Sequence, residues 1–449
     1  MLRPLSGFRE QLLEWRQSWN SLLLRNTLWM LMGEGVKLVL QMGYFVIIAR
    51  TLGAHGYGLF MGVVTLVAIM APFSSLGRGE LLVMHVSRDR SAFSEYLGNA
   101  LLMTLISGIL LTILAVTLGG LFLPDTIHPL VILWVALSDL IFYRVFSICG
   151  QSYQALERLK RTAQFNMLMG GIRLAGAVAL AWMSSQHSME WWGFLYLMTT
   201  LVMMSAALTL VIKELGKPSF HIRKLITELK EGSYFSISLS SLVVYSDIGK
   251  TMLVRYASAE HAGIYAAASR IVDVALTPIY SLMSAAFSRF FQEGKNGIEK
   301  SVRYAKRLIP FSLVYAAIAW LVLYLVAPIL PWVLGEDYLF AVEAIRWMAI
   351  IPLFKGLHIF AADALTGAGF QGWRSTIQVM VAILVAGLHI LIVPLYSWKG
   401  AIVVSIVGDV MLCCSYWVMI GYLLRRERAV RLEGHMIHEE AKFAQWSDR

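Results

Sequence analysis

The chain has 449 residues, 58% of them hydrophobic and only 15% charged, with a mean hydropathy of +0.66. That balance excludes a string of soluble domains and describes a polytopic membrane protein. The net charge of +10 would suggest nucleic acid for a soluble domain. Here the basic residues fall in short segments between apolar runs, where they orient the chain, so no nucleic-acid partner is expected.

Residues 1–26 read as a cytoplasmic leader. Arg3, Arg9, Arg16 and Arg25 make it basic, and no apolar run leads to a small-residue cleavage site. With Trp15 and Trp19 amid leucines, it suits either an amphipathic helix on the membrane surface or a disordered tail. Crossing a bilayer takes about 20 mostly apolar residues. Twelve spans are predicted on that basis, near 27–49, 58–77, 98–123, 130–155, 163–183, 191–213, 234–254, 263–288, 308–331, 341–363, 374–395 and 399–423. With both termini cytoplasmic, most of the 38 Lys and Arg residues fall on the cytoplasmic side, as the positive-inside rule requires. Segments such as Arg78 to Arg90 and Arg289 to Arg307 read as basic cytoplasmic connections, the latter as a surface helix.

The predicted organisation is an N-terminal six-helix lobe over 27–213, a basic cytoplasmic linker over 214–233, a C-terminal six-helix lobe over 234–424 and a cytoplasmic tail over 425–449. Duplication supports it. The first lobe opens with Glu34, Lys37 and the run Arg50-Thr51-Leu52-Gly53-Ala54-His55-Gly56-Tyr57-Gly58-Leu59-Phe60; the second opens with Asp247, Lys250 and Arg255 to Gly263. A weaker echo links Gln154-Ala155-Leu156-Glu157-Arg158 to Asp363-Ala364-Leu365-Thr366-Gly367. Cys149, Cys413 and Cys414 lie in apolar segments without ligand spacing and read as packing residues, so no metal site is expected.

Ionisable residues within spans are costly and mark cavities or partners. In the first lobe Lys37, Arg144 and Arg173 lie near the middle of their spans, only partly offset by Glu34 and Asp139. In the second, Asp247, Asp273 and Asp409 dominate, with Lys355 as the central cation. Pairs three apart, such as Glu34/Lys37, Asp247/Lys250, Arg270/Asp273 and Glu343/Arg346, could instead neutralise each other along one helix. Forked guanidinium donors suit phosphate oxygens, so Lys37, Arg144 and Arg173 are the expected pyrophosphate-binding residues. Tyr44, Tyr143 and Trp134 are candidate sugar contacts, with Tyr245, Tyr280 and Trp347 as further stacking candidates. Glu34, Asp247, Asp273 and Asp409 are candidates for coupling to a proton or sodium gradient. Gly33, Gly35, Gly43, Pro72 and Pro278 are candidate bending or close-approach positions. No nucleophile and base, metal-ligand spacing or phosphate-binding glycine loop is evident, so an enzyme is not expected and no cofactor is implied.

The turn Arg50 to Phe60, the exit Gln154-Ala155-Leu156-Glu157-Arg158-Leu159-Lys160, the run Gly263-Ile264-Tyr265-Ala266-Ala267-Ala268-Ser269-Arg270 and Leu334-Gly335-Glu336-Asp337-Tyr338 together resemble the polysaccharide transporter family. These are the Wzx-type flippases of the MOP superfamily, which also holds MurJ-type lipid II flippases and MATE drug exporters. The resemblance implies an all-α, V-shaped pair of six-helix lobes in the bacterial inner membrane. It implies alternating access that moves undecaprenyl-pyrophosphate-linked oligosaccharide to the periplasmic face for O-antigen, capsule or exopolysaccharide synthesis. A polysaccharide polymerase, a chain-length regulator and membrane lipids would be its partners. An accessory subunit of an exopolysaccharide synthase complex and a MATE-like exporter of small molecules are the alternatives. The basic centre of the first lobe counts against export of cations.

Overall fold

The computed structural model describes the backbone of residues 22–87, 89–183, 189–220, 229–295 and 297–447, and most side chains between 33 and 427. The expected leader over 1–26 lies almost wholly outside these residues, as do 221–228 of the expected linker and the side chain of Glu34. Among the described residues every regular element is helical. Nine helices among the described residues are long and apolar enough to cross a membrane, or up to ten if a bent pair is one span. The chain forms two compact units, Met1–Ser240 and Ser241–Arg449.

The first unit opens with α1 (Leu22–Ser75), followed by α2 (Arg78–Val86) and α3 (Phe93–Phe122). Next come α4 (Pro129–Ala136), a π-helical segment Leu137–Phe142 and α5 (Tyr143–Ala155). α6 (Leu159–Trp182) and α7 (Met189–Leu215) complete it, with the start of α8 (Leu229–Tyr256). The expected turn after residue 49 is narrower than the sequence suggests. α1 runs on through it, broken only at Gly53, whose φ of 65° is a conformation that a Cβ disfavours. Gly33, expected as a bending or close-approach position, serves close approach: a Cβ there would lie 2.7 Å from the Cβ of Ala163 on α6, the helix α1 packs along.

The segment from Arg78, expected as a basic loop, begins with a helix. Leu76 and Gly77 turn the chain with positive φ, and Leu81, Leu82 and Val86 then recur at helical spacing and bury. Leu82 and Val86 join a core with Tyr96, Phe146, Phe165 and Val211, and Arg78 itself is only 2% exposed. Asp89 caps the next turn. It accepts from the Ser91 hydroxyl at 2.7 Å and the Ser91 amide at 2.9 Å, which holds its carboxyl below the usual carboxylate range.

The second unit holds the rest of α8, then α9 (Ala259–Gly294), α10 (Ile298–Val326) and α11 (Leu330–Leu334). α12 (Leu339–Met348), α13 (Ile351–Gly367) and α14 (Gln371–Ser447) follow. Ser258 starts α9 by accepting from the His261 amide at 3.1 Å, so the second copy of the turn uses an N-cap where the first uses Gly53. The expected surface helix at Arg289 to Arg307 is instead the end of α9 and the start of α10, and α14 breaks within its length only at Ser397, with φ 51°.

At the entry to α14, Arg374 donates to the Thr366 hydroxyl at 2.8 Å and lies 3.6 Å from the buried Asp363 carboxylate. In the corresponding place of the first unit, Arg161 pairs with Glu214 at 2.7 Å, and Glu214 also accepts from Tyr153 at 3.0 Å. Two of the expected pairings along one helix resolve differently. Lys250 does pair with Asp247, whereas Glu343 pairs with Lys399 at 2.8 Å and Arg346 lies over the Tyr324 ring at 4.6 Å.

Candidate functional site

The first unit gathers its charge around the π-helical segment Leu137–Phe142. In a regular α-helix, five residues would set Asp139 and Arg144 roughly 140° apart around the axis. The wider i→i+5 turn brings such positions toward a common side. Asp139 then accepts from Tyr196 at 3.0 and 3.1 Å and lies 3.8 Å from Arg173 on α6. Arg173 stacks 3.9 Å over the Tyr196 ring and 5.8 Å from that of Tyr143, and donates to the Thr200 hydroxyl at 3.3 Å. Thr200 in turn accepts from Ser138 at 2.9 Å.

Arg173 is therefore held by four neighbours, while Arg144 is not. Among the described residues Arg144 makes no hydrogen bond or ion pair, and its Nε is buried without a partner. The charges of Glu80 and Asp139 act on it from a distance. A half-buried guanidinium left in this way is a donor set awaiting an acceptor.

Of the other residues expected here, Lys37 is half-buried on α1 and has a partner of its own. Tyr44 lies close enough to act electrostatically on Arg173. Trp134 is elsewhere: it meets Phe194 edge-on at 5.8 Å and lines a separate apolar recess with His128 and Glu190. Tyr196 and Thr200, which the sequence reading passed over, are four apart on α7 and face Asp139 and Arg173 together.

The second unit contains a cavity of about 340 Å³ that brings Asp247, Asp273 and Asp409 to one space, with Lys355 and Tyr280 in its wall. Asp409 is only 2% exposed. It accepts from the Tyr245 hydroxyl at 2.5 Å and lies 3.1 Å from His358 Nε2, so α8, α13 and α14 meet at one carboxylate. Lys355 sits 5.4 Å from the centre of the Tyr245 ring. Tyr265 shares a hydrogen bond with Ser405 at 2.8 Å. His358 was not singled out from the sequence, although it stands three positions from Lys355 on one helical face. Among the described residues no group of three or more histidine, cysteine or acidic side chains has the arrangement of a metal site.

Two units of apolar helices with charged clusters inside them form a fold shared with solved membrane transporters. Lipid II flippase MurJ in an inward closed conformation superposes with a TM-score of 0.71 at 12% identity, over 89% of this chain and 87% of that one. An inward-facing multidrug resistance MATE transporter gives 0.64 at 13% identity, over 87% and 96%. A MOP superfamily transporter from Pyrococcus furiosus, described for the reversed polarity of its binding pocket, gives 0.58 at 16% identity, over 90% and 96%. Among curated proteins none matches. The polysaccharide biosynthesis protein family model matches residues 23–293, well over half of the chain, and the protein belongs to that family.

Proposed function

We propose that this protein is a flippase that carries undecaprenyl-pyrophosphate-linked oligosaccharide from the cytoplasmic to the periplasmic face of the bacterial inner membrane. The product would feed O-antigen, capsule or exopolysaccharide synthesis. The observation that carries this reading is Arg144: an unpartnered, half-buried guanidinium inside a membrane-spanning helix of a polysaccharide biosynthesis protein. A pyrophosphate entering a low-dielectric cavity loses its water and needs such donors. Arg144 would take the phosphate oxygens, with Lys37 adding positive charge. Arg173 supports the site through Tyr143 and Tyr196 and would contribute its remaining N–H groups.

Alternating access through two six-helix lobes and twelve spans suits the chain, since α1 and α14 each break once, at Gly53 and Ser397. Dividing both there, and counting the bent pair as one span, takes the ten candidate spans to twelve. Asp409, buried against Tyr245 and His358, is the best-placed carboxylate for coupling to a proton or sodium gradient. Equilibrium binding of undecaprenyl pyrophosphate to the purified protein tests the headgroup assignment. Arg144→Ala is expected to weaken binding at least tenfold; unchanged binding in the folded variant would remove Arg144 from the site.

A further inference from the structure

The second unit's cavity is more than a place for a coupling ion. Its wall presents α9 at helical spacing: Tyr265, Ser269, Asp273 and Tyr280 recur along one face and all line it. Tyr265 is satisfied by Ser405, Asp409 by Tyr245 and His358, and Asp247 by Lys250. Asp273 is different. Among the described residues its carboxylate makes no hydrogen bond or ion pair, and it stands exposed to the cavity. Lys355 and Tyr280 lie in the same wall, Tyr280 with over a third of its surface open.

Such a wall offers an unsatisfied pair of acceptor oxygens, a cationic donor and an open aromatic face. The ligand chemistry that uses all three is a polyhydroxylated ring: adjacent hydroxyls donate to a carboxylate and accept from an ammonium, while the C–H face lies on an aromatic ring. The volume of about 340 Å³ falls within the roughly 300–1,000 Å³ of small-ligand pockets. Charge then selects among rings. With Asp247 paired to Lys250, Asp273 and Asp409 remain against the lining ammonium of Lys355. A further carboxylate in this low-dielectric setting would meet net repulsion.

We infer that this cavity is a glycan subsite for a neutral or amino-bearing sugar unit and that it rejects uronic acids. The inference rests on the flippase reading for its biological sense, but the cavity's chemistry can be measured without lipid or phosphate. Saturation-transfer NMR on the full-length protein in nanodiscs, with methyl N-acetylglucosaminide, methyl mannoside and methyl glucuronide as probes, reads it directly. Transfer to at least one neutral glycoside is expected, at least fivefold weaker transfer to the glucuronide, and loss of the neutral signal in both Asp273→Asn and Tyr280→Ala.

Asp273→Asn keeps the shape of the side chain, so a folding defect is not expected to mimic its effect. Glucuronide binding equal to or stronger than neutral binding would overturn the inference. So would a neutral signal that survives both variants, or sodium-23 line broadening that depends on Asp273 with no glycoside signal at all, which would mark a cation site. Glycoside binding by a protein that moves no lipid would sustain the subsite and overturn the flippase reading; lipid movement without glycoside binding would do the reverse.

Discussion

Arg173 holds its guanidinium 3.9 Å from the centre of the Tyr196 ring, and the hydroxyl of the same tyrosine donates to Asp139, whose carboxylate lies 3.8 Å from Arg173. Cation, ring and anion thus close on each other across three spans. The arrangement separates the two arginines of the first unit: Arg173 is held in the framework of the cluster, while Arg144 makes no hydrogen bond or ion pair among the described residues.

Their truncations should therefore differ in stability. Arg173→Ala removes a cation–π contact and leaves Asp139 with the hydroxyls of Tyr196 and Ser138 alone, an expected loss of about 2–4 kcal/mol. Arg144→Ala deletes a buried, unsatisfied Nε and should change stability by less than about 1 kcal/mol. Thermal unfolding of the detergent-solubilised protein checks both. Equal losses would show that Arg144 has a structural partner.

Tyr245→Phe should be costly for its size. Its hydroxyl donates to a nearly inaccessible carboxylate, Asp409, at 2.5 Å, and hydrogen bonds to charged groups are worth about 1.5–3 kcal/mol. Asp409→Asn, whose amide oxygen can still accept from Tyr245, should lose less than Tyr245→Phe does. The same unfolding assay orders the two.

Arg374 is the partner of a carboxylate that is 1% exposed, Asp363. Arg374→Ala should cost about 3–5 kcal/mol because it strands that charge. Combining it with Asp363→Asn should recover a large part of the loss, so a double-mutant cycle is expected to show coupling above about 1 kcal/mol. Additive losses would mean that the pair contributes nothing as a pair.

Gly53→Ala forces a Cβ onto a residue with φ 65°. About 1–2 kcal/mol of destabilisation is expected, with the affinity for undecaprenyl pyrophosphate unchanged because the break lies outside the charged cluster. A variant as stable as the parent would show that α1 can straighten at this point.

Much of this was legible in the sequence because apolar runs and intervening basic residues obey the bilayer directly. The membrane class and the charged positions came from that level, and the family resemblance from motifs such as Arg50 to Phe60 and Gln154 to Lys160. Duplication was visible through Arg50 to Phe60 and its echo at Arg255, although one copy uses a left-handed glycine and the other a serine cap. The π-helical turn at Leu137–Phe142 was not legible, since no residue type marks it, and a regular helix would set Asp139 and Arg144 roughly 140° apart. The helix from Arg78 was taken for a loop because its arginine counts as charge in a sequence, while in the fold the residue is buried with a partner. Trp134 was grouped with the arginines on chemistry alone, and its helix carries it to a different recess.

The central claim is that Arg144, in the charged cluster of the first unit, helps to move a pyrophosphate-linked glycan across the membrane. The measurement is reconstitution into proteoliposomes with a fluorescent undecaprenyl-pyrophosphate oligosaccharide, following its accessibility on each face under proton and sodium gradients. Protein-dependent translocation is predicted, falling at least tenfold in folded Arg144→Ala. The account is contradicted if the intact protein moves no lipid under either gradient in either direction, or if Arg144→Ala moves it as fast as the parent.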